Sequence, residues 1–232
     1  MKIINVKNSE EGVEVCKNLL YEKVSKNSVL FLSGGSTPKT LYEILAKEKL
    51  LKAGAVALVD ERYFSNLKPE TNEFMIRQTG LVKYLEENKT RFYPILEDKS
   101  MQDSAKDYDE TMRYLFNYFP KSIGILGVGV DGHVAGIPAF KKVSEQILSD
   151  KTLLISNYDI SMHYISIYQT PRITFTFNAL SRLDEIIVLV FGKDKKKALR
   201  LMLKDGSLAE IPSRFLTQAE ITERVTLITD QL

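Results

Sequence analysis

Short apolar runs recur along the chain, separated by stretches in which apolar residues fall at helical spacing. Residues 3–6, 29–32, 56–59 and 92–95 read as strands, followed by 123–126, 152–155, 172–177, 186–191 and 225–228. Most of these runs are continuously apolar rather than alternating, the pattern of strands buried on both faces of a parallel sheet. Between them, Leu41, Ile44 and Leu45 fall on one helical face after Pro38. Tyr108, Met112, Leu115 and Phe119 form a similar stripe before the strand at 123. Strands alternating with amphipathic helices predict an α/β fold: a doubly wound, mostly parallel sheet with helices on both faces. No internal repeat or low-complexity linker interrupts the pattern, so residues 1–232 are expected to form a single α/β domain, with room for a small subdomain near 150–170.

Composition narrows the class without naming it. Hydrophobic residues at 44% and charged ones at 27% suit a globular chain of 232 residues with a proper core. A formal net charge of +2 gives no global field that argues for nucleic acid. The single Cys16 excludes an internal disulfide and a thiolate metal cluster. The opening residues lack the apolar core of a secretion signal, and no apolar run reaches membrane-spanning length. The expectation is a cytoplasmic protein without nucleic-acid or membrane partners, monomeric or a small homo-oligomer.

The first candidate for chemistry follows the strand at 29–32. Ser33-Gly34-Gly35-Ser36-Thr37-Pro38 leaves backbone N–H groups uncovered at the two glycines, and Ser33, Ser36 and Thr37 add hydroxyl donors. Thr37 is expected to cap the next helix, with Pro38 at its first position. Uncovered donors at a helix N-terminus bind phosphate. The spacing is that of neither a nucleoside-triphosphate loop nor a nucleophile elbow. The plainer alternative is a tight strand-to-helix turn with ordinary capping, but five donor-bearing residues exceed what capping requires.

The second is Gly127-Val128-Gly129-Val130-Asp131-Gly132-His133, directly after the strand at 123–126. Its glycines permit a sharp turn and close approach to a ligand. His133, one of two histidines in the chain, supplies a proton acceptor at neutral pH where open α/β sheets place their ligands. The same glycines spell a dinucleotide fingerprint, with Asp150 at about the offset of a ribose-binding acid. That rival is weakened because Asp150 precedes a strand instead of closing one, and Pro138 interrupts the crossover.

Weaker signals cluster at other strand ends. Asp60-Glu61-Arg62 lies just past one, Arg172 opens another, and Lys195 stands among four lysines after Gly192, where one can serve a phosphate. Taken singly, each is an ordinary solvated charge. Together they suggest strand ends converging on one pocket.

In this order, the motifs resemble the 6-phosphogluconolactonase family, related to glucosamine-6-phosphate deaminases. The resemblance rests on Ser33 to Pro38, on Asp60-Glu61-Arg62 with Thr71-Asn72, and on Leu126-Gly127-Val128-Gly129-Val130-Asp131-Gly132-His133. Arg172-Ile173-Thr174 and Gly192 with Lys195 complete it. It implies hydrolysis of 6-phospho-D-glucono-1,5-lactone in the pentose phosphate pathway, without metal or organic cofactor. By that analogy Ser33, Gly34, Gly35, Ser36 and Thr37, with Arg172 and Lys195, hold the phosphate of a small sugar phosphate, and Asp60 and Gly129 line the substrate. His133 activates water. Asp131 orients the histidine or the water, and Arg62 or a backbone N–H of the glycine turn stabilises the oxyanion. The segment Val134-Ala135-Gly136-Ile137-Pro138 departs from the family's usual T-A-S-L-F-P, and the C-terminal tryptophan before its aspartate is absent. Two alternatives remain: a glucosamine-6-phosphate deaminase/isomerase, with Asp60 as carbon-proton base, and a non-catalytic sugar-phosphate-binding protein. His163 carries no assigned role.

Overall fold

The computed structural model describes residues 1–159 and 170–232. Strands β1 (Lys2–Asn5), β2 (Ser28–Leu32), β3 (Ala55–Leu58), β5 (Arg91–Tyr93), β6 (Lys121–Gly127), β9 (Glu185–Val190) and β10 (Val225–Thr229) form one seven-stranded sheet in the order β1-β10-β9-β6-β2-β3-β5. Every pairing within it is parallel. All residues of β2 and β3 are buried, so both faces of the sheet centre are covered, as their unbroken apolar sequence requires.

The helices do the covering. They are α1 (Ser9–Lys23), α2 (Ser36–Glu48), α3 (Asn72–Gln78), α4 (Leu81–Glu87), α5 (Met101–Tyr118), α6 (Lys141–Ser149), α7 (Phe177–Ser181), α8 (Lys196–Met202) and α9 (Ala219–Thr222). Leu41 and Leu45 of α2 are fully buried, as are Met112 and Leu115 of α5, so both sequence stripes face the core. Ile44 and Phe119 are only partly covered.

Strand order reverses at β2. The chain lays β3 and β5 to one side of it, then returns to place β6 on the other. Such a switch point opens a crevice at the carboxyl ends of the two central strands. The loop after β2 is the candidate phosphate loop, and the turn after β6 carries His133.

A second sheet was not legible in the sequence. β4 (Asp60–Arg62), β8 (Arg172–Phe175) and β7 (Ile155–Tyr158) pair antiparallel over the crevice. Val59 is the pivot: its N–H donates to the Leu32 carbonyl in the main sheet, and its carbonyl accepts from Phe175 N–H on β8. Phe31, Phe116 and Phe175 then pack against one another at tilted and edge-on angles, with centroids 5.1–6.2 Å apart. Asp60, Glu61 and Arg62 therefore stand on a strand, not in the solvated loop that their charge suggests.

Other boundaries moved for local reasons. The run at 152–155 begins with a turn, in which Asp150 Oδ1 accepts from Thr152 N–H and Leu153 N–H, and pairing starts only at Ile155. Asp150 is thus spent on its own turn, which removes the ribose-binding acid that a dinucleotide site needs. Helix α2 starts at Ser36 with Gly35 as its cap, so Pro38 is the third helical residue. It remains in the first turn, where its missing N–H breaks no helical bond. The lysine run begins with a 3₁₀ turn, Lys193–Lys195, ahead of α8. His163 lies outside the described residues, as do residues 160–169 of the stretch suggested as a subdomain. Among the described residues, no helix is long and apolar enough to cross a membrane.

Candidate active site

One cleft of about 260 Å³ opens at the switch point. Ser33, Gly34, Gly35, Ser36 and Thr37 form one wall, and Asp60, Arg62 and Arg172 of the small sheet form another. Gly129, His133 and Lys195 close it from the β6 side. Residues nearly a hundred positions apart in sequence thus face a single space. Asp131 does not line the cleft; it stands behind His133.

The anion wall is built by two glycines for different reasons. Gly35 has φ +106°, a conformation that side-chain-bearing residues avoid, and as the α2 cap it offers no side chain to the first-turn amides. Gly34 is needed for space, because a Cβ there would fall 1.8 Å from Asn72 Oδ1. The hydroxyl of Tyr42 donates to the Ser33 carbonyl at 2.8 Å and pins the loop from beneath. Ser33 Oγ and Arg172 Nε are both buried and have no hydrogen-bond partner among the described residues. Buried polar atoms without partners are rare, and two of those among the described residues stand on this one cleft.

Charge points the same way. Arg172 meets Asp60 at 3.1 Å, both nearly buried, so this arginine is no surface group. Arg62 stands opposite Arg172 in the β4–β8 register. Its NH1 donates to the Glu70 carbonyl at 2.8 Å and reaches Asn72 Oδ1 at 3.4 Å. Burial, followed by repulsion from Arg172, lowers the pKa of the Arg62 guanidinium from its usual value. Like charges directly opposite on paired strands destabilise a sheet, and a bound anion relieves that repulsion. Lys195 Nζ donates to the Val128 carbonyl at 2.9 Å, bringing a third cation to the cleft and fastening the 3₁₀ turn to the β6 turn.

His133 is equally constrained. His133 Nδ1 lies 2.7 Å from Asp131 Oδ1, with the imidazole about one-third exposed. The contact holds Nδ1 of the imidazole against the carboxyl group of Asp131. Asp131 thus touches the histidine directly, as the first of the two roles expected for it requires. Gly129 is required here, since a Cβ would lie 2.0 Å from His133 Nδ1 and 2.6 Å from Asp131 Oδ1. The Gly129 N–H donates to the His133 carbonyl at 2.9 Å and closes the turn. Gly132, at φ +94°, packs against Ile211, and its carbonyl accepts from Ser213 N–H at 3.0 Å.

Sequence reasoning left several contributors unassigned. Asn72 lines the cleft, donates from Nδ2 to the Asp60 carbonyl at 2.8 Å and packs on Gly34. Its signal was present in Thr71-Asn72, but nothing in the spacing showed that it meets the phosphate loop. Ala135 also lines the cleft at φ +50°, a strained conformation of the kind found at functional sites. Ile211 and Ser213 carried no signal at all. Among the described residues, no group of three or more His, Cys, Asp or Glu could hold a metal ion.

A parallel α/β sheet with an open anion cradle and an oriented histidine at its switch point defines a class: enzymes that hold a small anionic substrate beside a base. Residues 9–226 match the family described as glucosamine-6-phosphate isomerases/6-phosphogluconolactonase, and the chain belongs to that family. It is 31% identical to a 6-phosphogluconolactonase of Nostoc sp., over 80% of this chain and 75% of that protein. A glucosamine-6-phosphate deaminase of Clostridium beijerinckii is 26% identical over 100% of this chain and 97% of that one. The crystal structure of 6-phosphogluconolactonase from Thermotoga maritima superposes with a TM-score of 0.72 at 25% identity, covering 98% of this chain and 96% of its own.

Proposed function

We propose that the protein hydrolyses 6-phospho-D-glucono-1,5-lactone to 6-phosphogluconate. The observation that carries this reading is the convergence of the His133–Asp131 pair and the anion cradle on one cleft. The cleft is of a size that suits a monosaccharide phosphate. The name borne by the Nostoc lactonase, the more similar in sequence of the two relatives, supports this substrate; the deaminase is the more complete in coverage and points to a different sugar phosphate.

In this mechanism the phosphoryl group sits at the α2 N-terminus, held by the Ser33–Thr37 amides and hydroxyls, Arg172 Nε and Lys195. Fixing that end brings the lactone carbonyl to His133. Nε2 takes a proton from water as the water oxygen bonds to C1. Arg62 or an amide of the glycine turn stabilises the oxyanion. The tetrahedral intermediate then collapses, the bond from C1 to the ring oxygen breaks, and the imidazolium returns the proton to that oxygen. A general base of this kind supplies roughly 10²–10⁴-fold, and an ester that opens slowly unaided needs no more. The lone cysteine, Cys16, is buried, which fits a reducing cytoplasmic setting, and one hydrophobic cluster runs through the chain as in a single domain.

The test is hydrolysis of freshly prepared lactone, corrected for spontaneous opening. His133→Ala should lower kcat at least a hundredfold while 6-phosphogluconate still binds. Turnover like that of the unmodified protein would refute the assignment. The deaminase reading rests on the coverage of the deaminase relatives. Against it, Asp60 is committed to Arg172, and Pro138 occupies the position five beyond His133 where a deaminase carries glutamate. Ammonia release from glucosamine 6-phosphate would decide for it.

A further inference from the structure

Asp60 and Arg62 face the cleft, and Glu61 between them turns away from it. Its side chain is completely buried, yet three backbone N–H groups donate to it: Arg62 and Asn72 to Oε1, each at 2.7 Å, and Glu73 to Oε2 at 2.8 Å. Asn72 and Glu73 open α3, and Thr71 Oγ1 accepts from the next amide, Phe74, at 3.1 Å. The first turn of α3 is thereby sealed from within, whereas the first turn of α2 carries no side-chain cap and opens on the cleft.

The consequence reaches the site by two routes. Arg62 follows Glu61 directly, and its own amide is one of the three donors. Asn72 is tied by its amide to Glu61 and by its side chain to the Asp60 carbonyl, and it fills the space left by the missing Gly34 side chain. A shift of α3 along β4 would move Arg62 and the phosphate loop together.

We propose that Glu61 is a positioning residue for the reaction: it fastens β4 to the first turn of α3 and so fixes where Arg62 and Asn72 stand against the anion cradle. The inference deepens the lactonase reading and rests on it. Burial, opposed by the amide donors, pushes the Glu61 carboxyl up to about 7. The titratable or charged groups around it are Asp60 and Arg62 on its own strand, Glu73 on α3 and Tyr108 on α5. A neutral cap would suffice to hold a helix; a carboxyl with both oxygens occupied fixes its register as well.

Glu61→Gln replaces one acceptor oxygen by an amino group that faces the Glu73 amide. It should lower kcat/KM for the lactone at least tenfold. Combined with Arg62→Ala it should cost clearly less than its own tenfold effect, since the route through Arg62 is shared and only the route through Asn72 remains. Asp184→Ala removes a comparable carboxylate–amide contact, to Ser122 at the amino-terminal end of β6, and should lower Tm without changing kcat/KM beyond twofold. Should Glu61→Gln not fold, Glu61→Asp keeps the carboxyl one methylene short and is expected to lower kcat/KM at least fivefold. Activity within twofold of the unmodified protein in a folded Glu61 variant, or effects that multiply fully with Arg62→Ala, would overturn the proposal. Inorganic phosphate affinity, measured alongside, separates the two readings. A protein inert toward the lactone whose phosphate binding still weakens in Glu61→Gln keeps the clamp and loses the activity. A lactonase indifferent to Glu61→Gln keeps the activity and loses the clamp.

Discussion

At Gly129 a single hydrogen atom decides whether the base can work. A methyl group there overlaps both His133 Nδ1 and Asp131 Oδ1, so the imidazole must leave its partner or the turn must open. Gly129→Ala should therefore lower kcat at least tenfold with a smaller change in KM, because the phosphate wall lies across the cleft. Steady-state kinetics on the lactone, with the imidazole followed by NMR, checks this. An unchanged kcat in the Gly129→Ala variant would show that the Asp131 contact is dispensable. Gly34 is constrained by Asn72, Gly35 by its dihedral angle and Gly132 by Ile211, three reasons that identical letters conceal.

At the scale of elements, the catalytic turn is held from outside by a segment far along the chain. Ile211 packs on Gly132, and Ser213 N–H donates to the Gly132 carbonyl. That segment is anchored in turn by Arg214, whose Nε donates to the carbonyls of Leu201 and Lys204 and whose NH1 donates to that of Ser207. The guanidinium thus closes the C-terminal end of α8, where a cation also suits the helix dipole. Arg214→Met fills a similar volume but leaves these carbonyls unsatisfied, which should destabilise the protein by about 2–3 kcal/mol. Denaturant unfolding gives that figure, and kcat should fall together with it because the His133 turn loses its support. Loss of stability with undiminished kcat would show the turn to be self-supporting. The helices and parallel strands themselves were legible, since Leu41, Leu45, Met112 and Leu115 repeat at helical spacing and β2 and β3 are apolar throughout. β4 was not, because three consecutive charged residues carry no strand pattern and pair only because β8 lies across them.

For the whole molecule, the cleft gathers three cations and two buried polar atoms that have no partner among the described residues, around space for one small anion. A ligand that binds only the folded state stabilises it by RT ln(1 + [L]/Kd), about 2.7 kcal/mol at a hundredfold excess over Kd. 6-Phosphogluconate should accordingly raise Tm. His133→Ala should retain that shift, whereas Arg172→Ala should lose most of it. Thermal unfolding with and without ligand reads both. Stabilisation in a protein that turns over no lactone would favour a binding protein over an enzyme.

By itself, the sequence determined the layered α/β class and the two glycine turns, because hydrophobic period and turn chemistry are local properties. It also placed Ser33 to Thr37, Asp60, Arg62, His133, Arg172 and Lys195 at strand ends, where a shared edge is a natural outcome. Only the tertiary structure decided which of them meet and how. Asp60 pairs with Arg172 because Val59 carries the chain from one sheet to another, and Asn72 reaches Gly34 because Glu61 holds α3 in place. Those contacts join residues distant in sequence through backbone hydrogen bonds, and no local pattern of side chains encodes them.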